Sequence, residues 1–419
     1  MSHSATSRPI AGHDCAPQSA SRRRNLLKAG LGASALSALP LHTALAQSGE
    51  LVVGAAPPIT GVFAFAGVGL HQGLGDYCEW RNTTAGGVAG RKLRYVGEDS
   101  AYKMDQAMSV FKKIMAAHKP PVFYGDSTAW AKAAAVEVSQ LGTTLTSSPS
   151  FASDLADPAK VPYYFMAGPT YEAMIEIQLE YINGQARAAG KPAVALVYSD
   201  TEFGRDPING AKAHAQKLGI PIVQEIVTKA GAVDVSAEVA KLRRARPDYV
   251  IFHGYVLAPI PEFIKQMKEA GMSFRAMGTI WSMDKTTVDA MGAAAEGWMG
   301  VMPYRYSYDT SGARAMQAIK DYAAKARPNL AYVPLFYTHG WLVGSIFCEV
   351  MERCLKANQA LTGPNMKAAL ESIRNWDTGG IMGKPVSLAR HQIPMGRIYQ
   401  YDGPSKLLQP ASDWITMEG

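Results

Sequence analysis

The sequence predicts an α/β protein of two lobes, each built on a parallel sheet. Three observations carry this. From Leu51 onward, short β-type runs alternate with amphipathic helical stretches. The strand runs are nearly continuously apolar, as expected where helices cover both faces of a parallel sheet. The β-α-β-α rhythm also occurs twice, once over about 50–166 and again over about 171–297.

The strands fall at 51–56, 92–97, 121–124, 143–146, 193–198, 222–227, 249–253, 276–279 and 298–302. Each is a run of a few residues rich in β-branched, aromatic or other apolar side chains. The helices between them fall at 70–83, 104–117, 129–140, 171–188, 206–217, 235–244 and 260–270. Their apolar residues recur three and four apart, as Ile260, Phe263, Ile264 and Met267 do. Gly142, Gly190, Gly219 and Gly271 stand where helices end, a position that favours glycine. Helices at 313–326, 338–355 and 364–372 and a β-rich tail at 384–401 complete the chain. This late material is too little for a third domain and divides between the two lobes. Open α/β sheets bind ligands beyond the carboxyl ends of their strands, so both lobes present loops to a shared cleft.

Residues 21 to 46 read as an export address. Arg23-Arg24-Asn25-Leu26-Leu27-Lys28 is a twin-arginine pattern, and an uncharged run of small and apolar residues leads to Ala44-Leu45-Ala46. That order matches a cleaved leader, and the run is too rich in Ala, Gly and Ser for a membrane span. Twin-arginine leaders send folded cargo across the bacterial inner membrane. The mature chain is expected to begin near Gln47, in the periplasm. The leader holds +4 of the formal charge of +7, leaving about +3. With no Lys/Arg run beyond Arg243-Arg244, nothing supports a nucleic-acid footprint. Cys78, Cys348 and Cys354 remain after cleavage and sit in apolar helical patterns, as buried thiols do.

Motifs for catalysis are weak. Gly67-Val68-Gly69-Leu70-His71-Gln72-Gly73 is one residue too long for a dinucleotide fingerprint and stands too far from the first strand. Gly125-Asp126-Ser127-Thr128-Ala129 departs from a nucleophile elbow at its fifth position. His253, His339 and His391 lack metal-ligand spacing. No cofactor, metal or catalytic constellation is implied. Ser127-Thr128 has another use. The pair follows a strand and opens a helix, where hydroxyls, free amides and the helix dipole favour an anion. Ser147-Ser148-Pro149-Ser150-Phe151 ends the neighbouring strand and offers a second set of donors. An N-cap and a Ser/Pro turn account for the same residues without a ligand.

In order along the chain stand Pro58-Ile59-Thr60-Gly61, Gly86-Gly87-Val88-Ala89-Gly90-Arg91-Lys92-Leu93, Glu98-Asp99, Tyr124-Gly125-Asp126-Ser127-Thr128, Ser147-Ser148-Pro149-Ser150-Phe151, Phe203-Gly204-Arg205-Asp206, Ala294-Ala295-Glu296-Gly297 and Gly383-Lys384-Pro385-Val386. With these segments the sequence resembles type I periplasmic solute-binding proteins of the leucine/isoleucine/valine-binding type, over nearly all of the mature chain. The resemblance implies two Rossmann-like lobes with parallel sheets joined by a three-strand hinge near 167–170, 302–304 and 384–386. It places lobe 1 at 50–168 plus 303–385 and lobe 2 at 169–302 plus 386–419, after a leader at 1–46. It implies a monomeric, non-catalytic receptor that closes on a small solute and delivers it to an inner-membrane ABC permease.

Carried over by position, the family's carboxylate-binding serine falls on Ser127 or Thr128, with Ser148, Ser150 and Phe151 in the second carboxylate loop. Phe151 stands where amino-acid binders carry a threonine. Phe203 and Tyr255 match the second lobe's aromatic partners, while Phe65 and Trp130 add walls. The family's acidic ammonium acceptor falls in 277–281, which holds Trp281 and no carboxylate. Asp284 is several residues late. An unpaired buried ammonium costs several kcal/mol. The site therefore favours a carboxylate with an apolar or aromatic body over an amino acid, unless Asp126 receives the ammonium. A sensor that touches a membrane receptor, sharing the fold, and a periplasmic oxidoreductase are the rival readings.

Overall fold

The structure, a computed structural model, describes residues 49–185, 190–309 and 313–417. The twin-arginine leader lies outside these residues. The described residues form one compact unit.

The first half builds β1 (Leu51–Ala55), α1 (Ala64–Ala85), β2 (Leu93–Gly97), α2 (Met104–His118), β3 (Val122–Tyr124), α3 (Thr128–Leu141) and β4 (Leu145–Ser147). Its strands lie side by side in the order β2-β1-β3-β4, all parallel. The second half builds α4 (Tyr171–Gly184), β5 (Val194–Ser199), α5 (Glu202–Arg205), α6 (Ile208–Leu218), β6 (Ile222–Thr228), α7 (Ser236–Ala245), β7 (Tyr249–His253), α8 (Ile260–Glu269), β8 (Arg275–Gly278), α9 (Lys285–Met291) and β9 (Met299–Met302). These strands run parallel in the order β6-β5-β7-β8-β9. The late helices are α10 (Arg314–Ala326), α11 (Leu335–Lys356) and α12 (Gly363–Glu371). The last strands, β10 (Met395–Asp402), β11 (Leu407–Pro410) and β12 (Ile415–Thr416), extend the second sheet, β10 running antiparallel to β9. The architecture is the expected pair of α/β lobes.

Differences from the sequence reading have local causes. The helix expected at 206–217 is α6, which begins at Ile208; the short α5 precedes it, and Pro207, with no N–H to continue a ladder, separates the two. The helix expected from 70 begins at Ala64 and so absorbs the glycines that faintly suggest a nucleotide loop. Those glycines serve packing. A Cβ on Gly73 would lie 2.0 Å from the Tyr337 carbonyl oxygen of α11, and one on Gly340 would lie 2.3 Å from that of Leu70. Two helix backbones in such close contact need hydrogen in place of a side chain at the crossing.

Three segments pass side by side between the sheets. Ile393 donates its amide to the Gly168 carbonyl at 3.0 Å, Met166 donates to His391, and Gly168 packs on Pro303. The sequence places the third crossing at 384–386. Val386 instead pairs with Trp376, and the chain passes Gly168 only at Ile393.

Candidate functional site

A cavity of about 740 Å³ opens between the two sheets. Segments that follow the carboxyl ends of eight parallel strands line it. The first sheet supplies Phe63 and Phe65 after β1, Tyr102 after β2, Ser127 and Thr128 after β3, and Pro149 after β4. The second supplies Thr201 and Phe203 after β5, Ala230 and Gly231 after β6, Tyr255 after β7, and Trp281 after β8. Parallel strands present all their carboxyl ends on one edge, and two such edges face each other here.

The loops are fixed by polar contacts away from the cavity. Asp99 accepts the amides of Ile59, Thr60 and Ala101, tying the loop after β1 to that after β2. Burial penalises the Asp99 carboxylate, but these bonds and the Thr60 hydroxyl outweigh it and hold its pKa below the usual range. The anchoring lets Ala101 and Tyr102 adopt left-handed backbone, with φ of 51° and 56°. Tyr102 thereby stacks on Phe63, centroids 5.0 Å apart, and Phe63 meets Trp281 across the cavity at 5.2 Å. Trp281 donates its indole N–H to the Tyr171 hydroxyl at 2.9 Å. His253 is buried, and desolvation pushes its pKa down to about 4. The neutral ring donates Nε2–H to the Phe203 carbonyl at 2.9 Å and accepts the Thr279 hydroxyl at Nδ1, which sets the tautomer and seats the Phe203 loop.

Six of the eleven residues singled out from the sequence line the cavity: Phe65, Ser127, Thr128, Phe203, Tyr255 and Trp281. Asp126, Ser148, Ser150 and Phe151 are buried behind the wall. Ser150 bonds the Thr128 hydroxyl at 2.7 Å, and Ser148 bonds that of Tyr164 at 2.9 Å. Phe151 packs between Tyr171, Trp281 and His339. Trp130, expected as a wall, lies in the core between Phe111 and Phe123. Sequence reading missed Phe63, Tyr102 and Tyr171. The first two follow strand ends, and the third opens a helix, which is the signal that marks them.

At the start of α3, the Ser127 hydroxyl caps Trp130 N–H at 3.1 Å and donates to Asp126 at 2.7 Å. The amides of Thr128 and Ala129, in the first turn, have no intrahelical acceptor and stand at the cavity wall. An anion there meets the helix dipole and these donors. Burial pushes the Asp126 carboxyl up, opposed by the Ser127 and Ser100 hydroxyls, and its Oδ2 has no hydrogen-bond partner. Asp284 is committed elsewhere. It caps α9 and accepts Leu335 N–H at 2.9 Å. Glu202 is the carboxylate on the lining, at the exposed rim beside Lys132. Among the described residues, no group of three or more His, Cys, Asp or Glu is placed to hold a metal ion. No helix among them is long and apolar enough to cross a membrane.

Contacts also join the two halves beside the cavity. Ser153, after β4, donates N–H and Oγ–H to the Asp206 carboxylate at 2.9–3.1 Å, and Lys132 of α3 reaches Glu202 at 3.4 Å.

Comparison with known proteins agrees with this architecture. Residues 50–404 match the family model described as periplasmic binding protein. An amino acid binding protein of Pseudomonas aeruginosa is 26% identical over 268 residues, covering 64% of this chain and 68% of that relative. The crystal structure of a Thermus thermophilus branched chain amino acid ABC transporter with bound valine superposes with a TM-score of 0.77 at 23% identity, over 88% of this chain and 96% of that one. A solute binding protein of an ABC transporter from Rhodopseudomonas palustris BisB5, in complex with 3,4-dihydroxy benzoic acid, superposes at 0.72 with 19% identity, over 88% and 97%. With the family model spanning most of the sequence and two facing α/β lobes beneath it, the chain belongs to the type I periplasmic binding proteins of the leucine/isoleucine/valine-binding family.

Proposed function

We propose that this protein is the substrate-binding component of an ABC importer of the branched-chain amino acid type, and that its cleft closes on a small carboxylic acid with an aromatic or apolar body. The observation that carries the reading is the composition of the cavity. Seven aromatic residues line it, with the free amides of α3 at one end and no buried carboxylate on the lining to receive an ammonium. The named relatives hold valine in one case and 3,4-dihydroxy benzoic acid in the other, so the family's frame accepts both kinds of solute. Residues 1–46 are taken as the twin-arginine leader, and the permease of the inner membrane as the partner. Lobe 1 comprises 50–168 and the stretch from 303 to about 392, and lobe 2 the remainder of the mature chain.

Calorimetry and thermal shift against benzoate, phenylpyruvate and leucine test the ligand class. A ligand at a hundred times its Kd adds about 2.7 kcal/mol, several degrees in Tm. Stabilisation by the aromatic acids and not by leucine is the expected outcome. Stabilisation by leucine alone overturns the ligand class and means that Asp126 or another acid receives the ammonium.

Two variants test the geometry. Ser127→Ala with Thr128→Ala should weaken binding by about 1–3 kcal/mol, the scale of hydrogen bonds to a charged group. An unchanged calorimetric affinity removes α3 from the site. Asp206→Ala releases Ser153 and should bias the free protein toward an open form. Affinity should fall about tenfold or more, as expected for losing charge-assisted hydrogen bonds that exist only on closure. A larger radius of gyration by solution scattering should accompany the loss. An unchanged radius and affinity would show that the Ser153 contact does not depend on closure.

A further inference from the structure

The helices α1 and α11 run parallel in a fixed register. Leu70 touches Gly340 and Leu74 touches Gly344, each pair one turn beyond the last. Farther along, Arg81 pairs with Glu352. Between these contacts the same four-residue step brings Cys78 opposite Cys348. Both thiols are free and nearly inaccessible, at 1% and 3% exposure. Burial pushes the Cys78 thiol well up, and the nearness of Cys348 adds to it. Cys354 lies six residues beyond Cys348 on the same helix, so the two point in different directions.

We propose that Cys78 and Cys348 are a disulfide-forming pair that staples α1 to α11 when the chain folds in the presence of a thiol oxidant. Each thiol gives up one hydrogen, a sulfur–sulfur bond forms between them, and the oxidant, a small disulfide, is cleaved to two thiols. The same burial closes the pair to oxidant after folding, because the attacking species is the thiolate and the interior disfavours it. A chain folded under reducing conditions therefore keeps both thiols. The proposal concerns the packing of α1 on α11 alone and is independent of which solute the cleft takes.

The test uses the full chain with Cys15→Ser, unfolded under reduction and refolded with or without oxidised glutathione. The oxidised sample should lose two hydrogens in mass and give one cross-linked peptide pair containing Cys78 and Cys348. Cys354 should remain open to alkylation, and Tm should rise by several degrees. Protein folded first and then given oxidised glutathione should keep all three thiols. Cys78→Ser and Cys348→Ser should each abolish the cross-link, and Cys354→Ser should not. Three free thiols after oxidative refolding, or a bridge that includes Cys354, overturns the proposal.

Discussion

Trp281→Ala should lose both stability and affinity. The side chain is only 3% exposed and meets Phe63, Phe151 and Phe336 at centroid distances of 5.2, 5.8 and 5.5 Å. Truncating a buried tryptophan typically costs about 3–5 kcal/mol. The low end applies here, because the vacated space opens into the cleft and can hydrate. The indole N–H also holds the Tyr171 hydroxyl, so the variant frees a second wall of the cavity. Denaturant titration should give a loss of about 3 kcal/mol, and calorimetry a fall in affinity of tenfold or more for an aromatic acid. Trp281→Phe keeps the ring contacts but not the donor, and separates the two contributions. Wild-type affinity in the alanine variant would remove Trp281 from the site.

Acid should destabilise the protein below about pH 6.5. Burial lowers the pKa of His253 to about 4 and that of His339 to about 3, against about 6.5 in an unfolded chain. As pH falls from 6.5, the unfolded chain takes up these protons and the folded chain does not. Stability from both histidines is thus complete above 6.5 and is lost progressively toward pH 3–4. At pH 4.5 each contributes a loss of about 2–3 kcal/mol. Asp126, Asp206 and Asp284, whose carboxyls burial pushes up, protonate first in the folded state and partly offset the loss. Comparing pH 7.5 with 4.5 in guanidinium should therefore show a net loss. The His339→Leu variant should show a loss smaller by about 2–3 kcal/mol. Equal losses in the two proteins would mean that His339 titrates in the fold.

Periods of two and 3.6 residues are local properties, and so most strands and helices were legible in the sequence to within a few residues, the start of α1 and the strands of the tail excepted. Tyr249–His253 is a run of apolar and aromatic residues that reads as a strand in any context. Because a parallel strand's carboxyl end is known once the strand is known, Ser127 and Thr128 could be placed at a cleft, whereas Phe203, Tyr255 and Trp281 were placed there by the family resemblance. Which way a side chain turns after the strand ends is a matter of packing between distant segments. Ser148, Ser150 and Phe151 have the composition of a binding loop, yet Tyr164, Thr128 and the Trp281 cluster draw them inward. The left-handed turn at Tyr102, the hold of Ser153 on Asp206, and the register that sets Cys78 opposite Cys348 join residues 40 to 270 positions apart. No local pattern specifies such pairs. They follow only when the two sheets face each other and α11 settles against the glycines of α1, where close packing leaves a single arrangement of side chains.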